Sequence, residues 1–294
     1  MDNYVIISDS TCDLTQDMVD EIGVEILPLT FSICGNEYEN YLDEREFKLD
    51  DFYSLMNKGE MAKTAQINVV DALGFLKPIL EKGNDILFIA FSSGLSGSCN
   101  AVRLASEQLL DEYKDRKIKI VDSLCASSGE GLLIYEAYEN KKAKMSLDEN
   151  FEAIEKMKFN IRHWFTVSQL ETLRRGGRLS NAAAFAAKLL NIKPVLNVDD
   201  EGHLKAVYKK MGRKLAIKQL IESSLNGYDM SKEHLTLISH ADCIEDANKL
   251  KEMLEIEYNK NNIKSKIIIC KIGPVIGAHA GPGTLALFTI GDKR

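Results

Sequence analysis

The sequence predicts an α/β protein of two domains: an N-terminal doubly wound parallel sheet in three layers, and a C-terminal two-layer domain with a mixed sheet. Short β-branched runs alternate with amphipathic helical segments through the first half of the chain, which favours a parallel sheet with right-handed crossovers. The composition shifts at residues 140–145, and a hairpin signal at residues 199–202 interrupts the alternation in the second half. We therefore expect the domains to cover residues 1–150 and 151–294.

In the first half, strands are predicted where β-branched and apolar residues run together, and helices where apolar residues recur at helical spacing. The predicted elements in order are strand 4–8, helix 13–22, strand 24–31, a return strand after the turn 34–36, helix 51–57, helix 68–82, strand 85–91, helix 99–113, strand 117–121 and helix 127–141. Asp13 and Asn68 are the predicted N-caps of their helices. Residues 63–66, between two of these helices, are predicted to form a loop.

The second half begins with a capping box, because Ser146 is followed three residues later by Glu149. The predicted elements in order are helix 146–158, strand 161–167, helix 182–190, strand 193–198, strand 203–209, helix 213–225, strand 235–239, helix 242–259, strand 266–271 and strand 285–290. Residues 273–283 contain six glycines or prolines around one histidine, His279, and are predicted to form a constrained loop.

The composition narrows the possible functions. A chain of 294 residues, 45% of them hydrophobic, can bury its own core without a metal or a disulfide. A net charge of −7 disfavours nucleic acid as a partner. The six cysteines form no CxxC pair, which favours reduced thiols and gives no zinc spacing. Because no apolar stretch approaches the roughly 18–20 residues of a membrane span and the first residues lack a signal-peptide pattern, we expect a cytoplasmic protein.

Loops rich in hydroxyl groups and glycine follow three predicted parallel strands, at residues 9–13, 92–98 and 122–123. Ligands of open parallel sheets bind at the carboxyl ends of the strands. Such loops expose backbone N–H and side-chain O–H donors, so we expect them to form a nest for an oxyanion. The loop at 92–98 matches neither a P-loop nor a dinucleotide fingerprint, which leaves nucleotide binding unsupported.

Histidines and arginines outside these loops have competing interpretations. His163, His203 and His234 lie in or beside predicted strands without evident acidic partners, which favours packing or surface roles. The segment 173–180 (LRRGGRLS) places Arg178 after two glycines. This segment is either an ordinary connection between helices or a surface that recognises a phosphate or a partner protein.

The motifs together resemble those of the DegV family. They span almost the whole chain in order: DSTCDL (9–14), KTAQ (63–66), SSGLSGS (92–98), VDS (121–123), LRRGGRLS (173–180), KPVL (193–196) and VIGAHAGPG (275–283). The resemblance implies a protein that binds a long-chain fatty acid between its two domains and has no complete active site, cofactor or metal of its own. It also implies an ATP-binding fatty acid kinase subunit as the partner, which converts the bound carboxylate to an acyl phosphate for phospholipid synthesis.

The resemblance implies residues for each role. Those expected to bind the carboxylate are Thr64, Ser93, Gly94, Ser96, Gly97 and His279. Arg178 is the expected contact with the kinase subunit, and no membrane span is expected beyond transient contact with a membrane surface. Phe165, Phe185 and Ile276 are expected to line the tunnel for the acyl chain. The sequence departs from the TSQP segment of the family at Ala65 and Ile67, which leaves the shape of that loop open.

Two other functions remain open from the sequence. A serine-type hydrolase would use Ser93 or Ser96 as the nucleophile and His279 as the base, although no acidic residue is evident to orient the histidine. A small-molecule sensor would instead act through partner proteins, with the segment around Arg178 as the contact surface.

Overall fold

The computed structural model describes residues 3–179, 191–231 and 233–294. Its strands are β1 (Tyr4–Asp9), β2 (Glu25–Leu27), β3 (Thr30–Ile33), β4 (Asn36–Glu39), β5 (Lys63–Ala65), β6 (Asp85–Ala90), β7 (Ile118–Asp122), β8 (Ile161–Thr166), β9 (Ile192–Val198), β10 (Leu204–Met211), β11 (Thr236–His240), β12 (Ile267–Lys271) and β13 (Leu285–Ile290). Its helices are α1 (Gln16–Ile22), α2 (Leu49–Asn57), α3 (Val69–Glu81), α4 (Ser98–Glu112), α5 (Ser128–Lys142), α6 (Leu147–Met157), α7 (Leu170–Arg175), α8 (Arg213–Leu225), α9 (Ile244–Lys260) and α10 (Pro274–Ala280). The predicted helix 182–190, with Phe185, lies outside the described residues.

The N-terminal sheet is parallel, with strand order β2-β1-β6-β7. Alternate residues of β6 point to opposite faces, as the period of a strand requires. Leu87 and Ile89 belong to the apolar cluster that contains α5 and α6, whereas Ile86 and Phe88 belong to the cluster that contains α3 and α4. Helices therefore cover both faces of this sheet, and the predicted doubly wound arrangement is confirmed.

A small antiparallel sheet, β4-β3-β5, lies beside the parallel one. The single strand predicted at 24–31 is wrong, because β2 and β3 are separate strands in different sheets. Pro28 stands between them, and a proline has no N–H with which to continue a ladder. The loop predicted at 63–66 is also wrong in part, because Lys63–Ala65 forms β5 and pairs Thr64 with Phe31 of β3.

The C-terminal sheet is mixed, with strand order β10-β9-β8-β13-β11-β12. Its β11 and β12 run parallel, while its other pairs are antiparallel. One face packs on α8 and α9 through residues such as Leu220 and Leu250. The opposite face turns Leu237 and Phe288 toward the N-terminal half. The predicted mixed-sheet α/β architecture is confirmed.

Helix α5 joins the two halves of the molecule. It contacts β1 and β6 of the parallel sheet and also β8, β11 and β13 of the mixed sheet. Residues from Ser128 to Ile134 are all buried, so its first two turns are enclosed by protein. The capping box predicted at Ser146 opens α6 as expected. The domain boundary near residue 150 stays a prediction, since one apolar cluster runs through both halves.

Two local predictions differ from the structure near the seam between the halves. Asp13 is not the N-cap of α1; that position belongs to Thr15, whose hydroxyl accepts the N–H of Met18 at 3.3 Å. The glycine-rich segment predicted as a loop contains α10. Pro274 occupies its first turn, where a missing N–H costs nothing. His279 is therefore held on a helix.

His234 also differs from expectation, because two carboxylates contact it. Its ring nitrogens lie 3.3 Å from Glu136 and 2.8 Å from Asp229. Although burial opposes it, hydrogen bonding to Glu136 and Asp229 raises the pKa of His234. Within the described ranges, no helix has the length and apolar character needed to cross a membrane. The same residues contain no group of three His, Cys, Asp or Glu side chains placed to hold a metal ion.

Candidate functional site

A cavity of about 270 Å³ lies between the two halves. Fifteen of its 23 lining residues are apolar, and both halves contribute them: examples are Leu29, Phe91, Leu95, Phe165, Ile276 and Phe288. Small-molecule pockets share this character, being mostly apolar with a few polar groups. Two of the predicted wall residues, Phe165 and Ile276, are among the lining residues.

The cavity follows the inner face of β8 and β13. Thr284, Ala286 and Phe288 all line it, and they occupy alternate positions on one face. Four residues of strand span about 13 Å at roughly 3.3 Å per residue. The cavity is therefore elongated along the strands, with α10 at the Thr284 end and Phe288 at the other.

The α10 end of the cavity carries a hydrogen-bonded pair of polar side chains. Thr64 lies in the centre of β5, and His279 lies in the last turn of α10. Thr64 Oγ1 is 2.9 Å from His279 Nε2, although the two residues are 215 positions apart in the chain. The antiparallel pairing of β5 with β3 fixes Thr64, and the contact of α10 with β5 brings His279 to it.

The imidazole of His279 is uncharged near neutral pH. Burial, with a smaller contribution from the positive charge of Arg178, lowers the pKa of His279 to about 4. A Cβ at Gly176 would collide with His279 Nδ1. A glycine at this position therefore permits the end of α7 to lie this close to the imidazole ring of His279. His279 is thus a neutral side chain in a tightly fitted setting.

Arg178 also lines this cavity, and its guanidinium folds back toward the protein. Its Nε donates to the carbonyl of Leu95 at 3.1 Å, and its Nη1 donates to the carbonyl of Gly176 at 2.6 Å. Among the described lining residues, Arg178 alone carries a fixed charge, and no carboxylate is present. The cavity therefore presents positive potential to an anion. The predicted contact of Arg178 with a kinase subunit stays a prediction.

Ser96 is the hydroxyl-bearing residue of the 92–98 loop that lines the cavity, next to the apolar Leu95. Its Oγ lies 3.0 Å from Ser98 Oγ and accepts the N–H of Ser98 at 3.2 Å. Ser98 Oγ in turn accepts the N–H of Ile67 at 3.1 Å, shortly after β5. These bonds hold the loop against the strand that carries Thr64, so the two hydroxyl-bearing segments meet at one end of the cavity.

The other predicted residues of this loop do not line the cavity. The side chain of Ser93 is exposed, and its N–H donates to Asp122 at 3.0 Å. Gly94 packs beneath the turn between β9 and β10, where a Cβ would lie 2.7 Å from the carbonyl of Glu201. Gly97 lies against a neighbouring side chain in the same way. Because Ser93 is exposed and lies outside the cavity lining, the expected contact of its side chain with a head group is not supported by this geometry and stays a prediction.

The expected oxyanion nest does not extend to the loop at residues 9–13. The loop after β1 carries buried carboxylates of its own, Asp9 and Asp13, and Glu130 of α5 lies beside them. Burial raises the pKa of Asp9 and of Glu130. The N–H groups of Thr11 and Phe91, which could have received an anion, donate to Asp9 at 3.0 Å. These N–H donors are therefore already used by Asp9 and are not free for an anionic ligand.

Sequence reasoning missed His163 at the Phe288 end of the cavity. His163 is buried, meets the Phe288 ring edge-on, and places its Nδ1 3.2 Å from the carbonyl of Ile161. Burial, and then the charge of Arg294, lowers the pKa of His163 well below its ordinary value. The sequence could have indicated its position, because Ile161, His163 and Phe165 are every second residue of β8 and so lie on the same inner face.

The site lacks the pairing that the hydrolase alternative requires. The hydrogen-bond partner of His279 among the described residues is Thr64, and Ser96 bonds to Ser98 instead. A serine nucleophile needs its base within hydrogen-bond reach. The arrangement instead offers hydroxyls, a neutral imidazole and one guanidinium at the end of an apolar cavity, which suits an anionic head group with an aliphatic tail.

Known proteins are similar to this chain in sequence and in fold. A family model described as "Uncharacterised protein, DegV family" matches residues 3–292. A DegV domain-containing protein of Clostridium perfringens is 40% identical over 294 residues, which cover 100% of this chain and 99% of the relative.

Two solved structures extend the comparison. DegV of Bacillus subtilis, described as a fatty acid binding protein, is 27% identical with a TM-score of 0.82, covering 99% of this chain and 100% of that one. A DegV family protein of Thermus thermophilus, whose structure is described by its fatty acid binding, is 25% identical with a TM-score of 0.87, covering 98% and 99%. The match over nearly the whole chain bears out the resemblance seen in the motifs, and this chain belongs to the DegV family.

Proposed function

We propose that this protein binds a long-chain fatty acid in the cavity between its halves, in the cytoplasm, and presents the carboxylate to a separate ATP-dependent kinase subunit. One observation carries the proposal: an elongated apolar cavity ends in the Thr64–His279 pair with Arg178 beside it. The similar proteins of Bacillus subtilis and Thermus thermophilus, which are described as binding fatty acids, support the choice of ligand.

The head group would be held by hydrogen bonds and one nearby cation. A buried carboxylate is costly unless several donors meet it, and bonds to an ionised group are the stronger ones. If the neutral His279 carries its proton on Nε2, it donates to Thr64 Oγ1 and leaves the threonine O–H to donate to the carboxylate. Ser96 supplies a second hydroxyl at this end, and Arg178 supplies positive potential.

The acyl chain would supply most of the affinity. At roughly 0.8 kcal/mol per methylene, burying about 14 methylenes gives a gross gain of about 11 kcal/mol. Association and ordering subtract several kcal/mol from this sum. The result is tight but reversible binding, which suits a carrier that must release its ligand.

The partner would act at the polar end of the cavity. In the proposed step, an oxygen of the bound carboxylate attacks the γ-phosphorus of ATP on the kinase subunit, the bond to the β-phosphate oxygen breaks, and ADP leaves. The acyl phosphate then enters phospholipid synthesis. We keep Arg178 as the proposed contact with the kinase subunit, because the phosphoryl donor must approach the end of the cavity where Arg178 lies.

Titration calorimetry with a matched pair of ligands tests the binding step. We expect a long-chain fatty acid to bind, and the alcohol of equal length to bind more weakly, because the alcohol lacks the charge that Thr64 and Arg178 would meet. Absence of binding by protein stripped of lipid would refute the proposal. Trapping acyl phosphate with hydroxylamine, after addition of an ATP-binding partner subunit and ATP, tests the second step.

A further inference from the structure

The buried carboxylate of Asp13 links the two halves of the molecule beside the cavity. Its Oδ1 accepts the N–H of Gly273 at 2.8 Å, and its Oδ2 accepts the hydroxyl proton of Ser127 at 2.5 Å. Asp13 is 2% exposed and adopts a φ of 49°. The left-handed region is sparsely used by residues other than glycine, and such strain is retained where the surrounding structure requires it.

Both partners of Asp13 belong to elements of the site. Ser127 precedes α5 and lines the cavity. Gly273 is the N-cap residue of α10, the helix that ends with His279 facing Thr64. The α10 N-cap has no side-chain hydrogen bond of its own, and the bond from Gly273 to Asp13 ties the start of this short helix to the N-terminal half. The hydroxyl of Tyr53, which donates to the carbonyl of Ile272 at 2.7 Å, supports the residue before it.

Asp13 also forms part of the wall behind the site. A second cavity, of about 310 Å³, is lined by Asp13, Gly273 and Pro274. The first cavity is lined by Ile272 and Val275 from the same segment. The bridge from Asp13 to Gly273 therefore stands between the two spaces, and loss of the bridge would loosen the segment that separates them.

The groups around Asp13 make its bridge to Gly273 and Ser127 sensitive to pH. The titratable groups that act on Asp13 or feel its charge are Asp9, Cys12, Tyr53, Glu130 and Cys270. None of these is a cation, and Lys271 across the second cavity is paired with Glu44 at 3.1 Å. Burial, opposed by the hydrogen bonds from Ser127 and Gly273 and reinforced by Asp9, raises the pKa of Asp13 to about 7.

We propose that Asp13 is a positioning residue of the carboxylate site: by joining Gly273 to Ser127 it holds α10 in place, and so keeps His279 against Thr64. The proposal rests on the proposed binding of a fatty acid. An ionised Asp13 accepts from both donors, whereas a protonated one must donate through one oxygen and holds the N–H of Gly273 less strongly. Fatty acid affinity is therefore expected to fall as the pH drops through about 7.

Three variants of the full chain separate this role from general stability. Asp13→Ala removes both acceptors, and a buried N–H without a partner costs enough to weaken fatty acid binding roughly tenfold or more. Asp13→Asn keeps an acceptor for Gly273 and places an amide donor toward Ser127, as a protonated Asp13 would, so we expect the affinity of the wild type at low pH, with no pH dependence between pH 6 and 8. Glu130→Gln is the matched control, because Glu130 is also buried and its hydrogen bonds among the described residues go to Ser8 and Thr11 of the N-terminal half.

The measurements are fatty acid titrations at several pH values and the imidazole NMR signals of His279. We expect Asp13→Ala to shift the His279 signals away from their values in the wild type and Glu130→Gln to leave them unchanged, with both variants folded by circular dichroism. Equal affinity of Asp13→Ala and wild type, or the same pH profile in Asp13→Asn and wild type, would overturn the positioning role. If the wild type binds no fatty acid at any pH, the proposed function fails instead.

Discussion

Replacing Thr64 with valine isolates the hydrogen bond that we assign to the ligand carboxylate. Valine keeps the β-branched shape that suits β5, so the strand pairing with β3 is retained. The substitution removes the Oγ1 that lies 2.9 Å from His279 Nε2. The bound carboxylate would lose a hydroxyl donor, and the half-buried imidazole would lose its partner.

The size of the effect follows from the type of bond that is lost. Hydrogen bonds to charged groups contribute about 1.5–3 kcal/mol. A loss of that size weakens binding by roughly ten- to 150-fold, at about 1.4 kcal/mol for each factor of ten. The acyl chain contacts other walls of the cavity, so affinity for a long-chain alcohol should change far less than affinity for the acid.

Calorimetric titration of wild type and Thr64→Val with both ligands provides the assay. Ser93→Ala is the matched control, because that side chain also carries a hydroxyl group and belongs to the predicted site, but is exposed and lies outside the cavity lining. We expect the control to bind both ligands as the wild type does. Unchanged fatty acid affinity in Thr64→Val, or equal losses for the acid and the alcohol, would refute the assignment of Thr64 to the carboxylate.

Three further predictions follow from the same geometry. A bound carboxylate next to His279 should raise the pKa of that residue from about 4, and histidine NMR titrations with and without fatty acid would measure the change; an unaltered pKa would place the head group elsewhere. Because the pKa of Asp13 rises from 3.8 to about 7, Asp13 should contribute a loss of about 4 kcal/mol of native-state stability as the pH rises from about 4 to 8, and urea unfolding of Asp13→Asn should show a pH-dependent loss that is smaller by about this amount. Gly176→Ala would push its Cβ into His279 and should weaken fatty acid binding, whereas Gly74→Ala, with nothing within 4 Å, should not; equal affinities of the two variants would contradict the close contact.

Much of the fold was predictable because local signals agreed with the tertiary structure. The run Asp85–Ala90 is apolar after its first residue and forms the central strand β6, buried on both faces. The Ser146 and Glu149 pair opens α6, and Asn68 caps α3, as their spacing indicates. These features depend on residues close together in the chain, which a sequence displays directly.

Other features depend on contacts between distant residues, and the sequence could not reveal them. Residues 63–65 carry no strand pattern of their own and become β5 by pairing with β3. Asp13 resembles an N-cap residue but is used to hold Gly273, 260 positions later. Arg178 follows two glycines, as an exposed arginine in a turn would, yet it folds back to the carbonyl of Leu95.

The candidate site could be predicted from the sequence only in part, for the same reason. Thr64, Ser96 and His279 came from motif resemblance, and the structure places all three at one cavity. Their roles in binding stay predictions. Ser93 is exposed while its backbone N–H is held by Asp122, 29 positions later, and no motif reports such a contact.

Lipid analysis of the purified protein tests the central proposal most directly. Native mass spectrometry should show the protein with one added mass that disappears on denaturation, and solvent extraction should recover a long-chain fatty acid in about equimolar amount. Protein that emerges empty, and that still shows no adduct after incubation with a series of long-chain fatty acids, would contradict the proposal that the cavity between the halves holds an acyl chain.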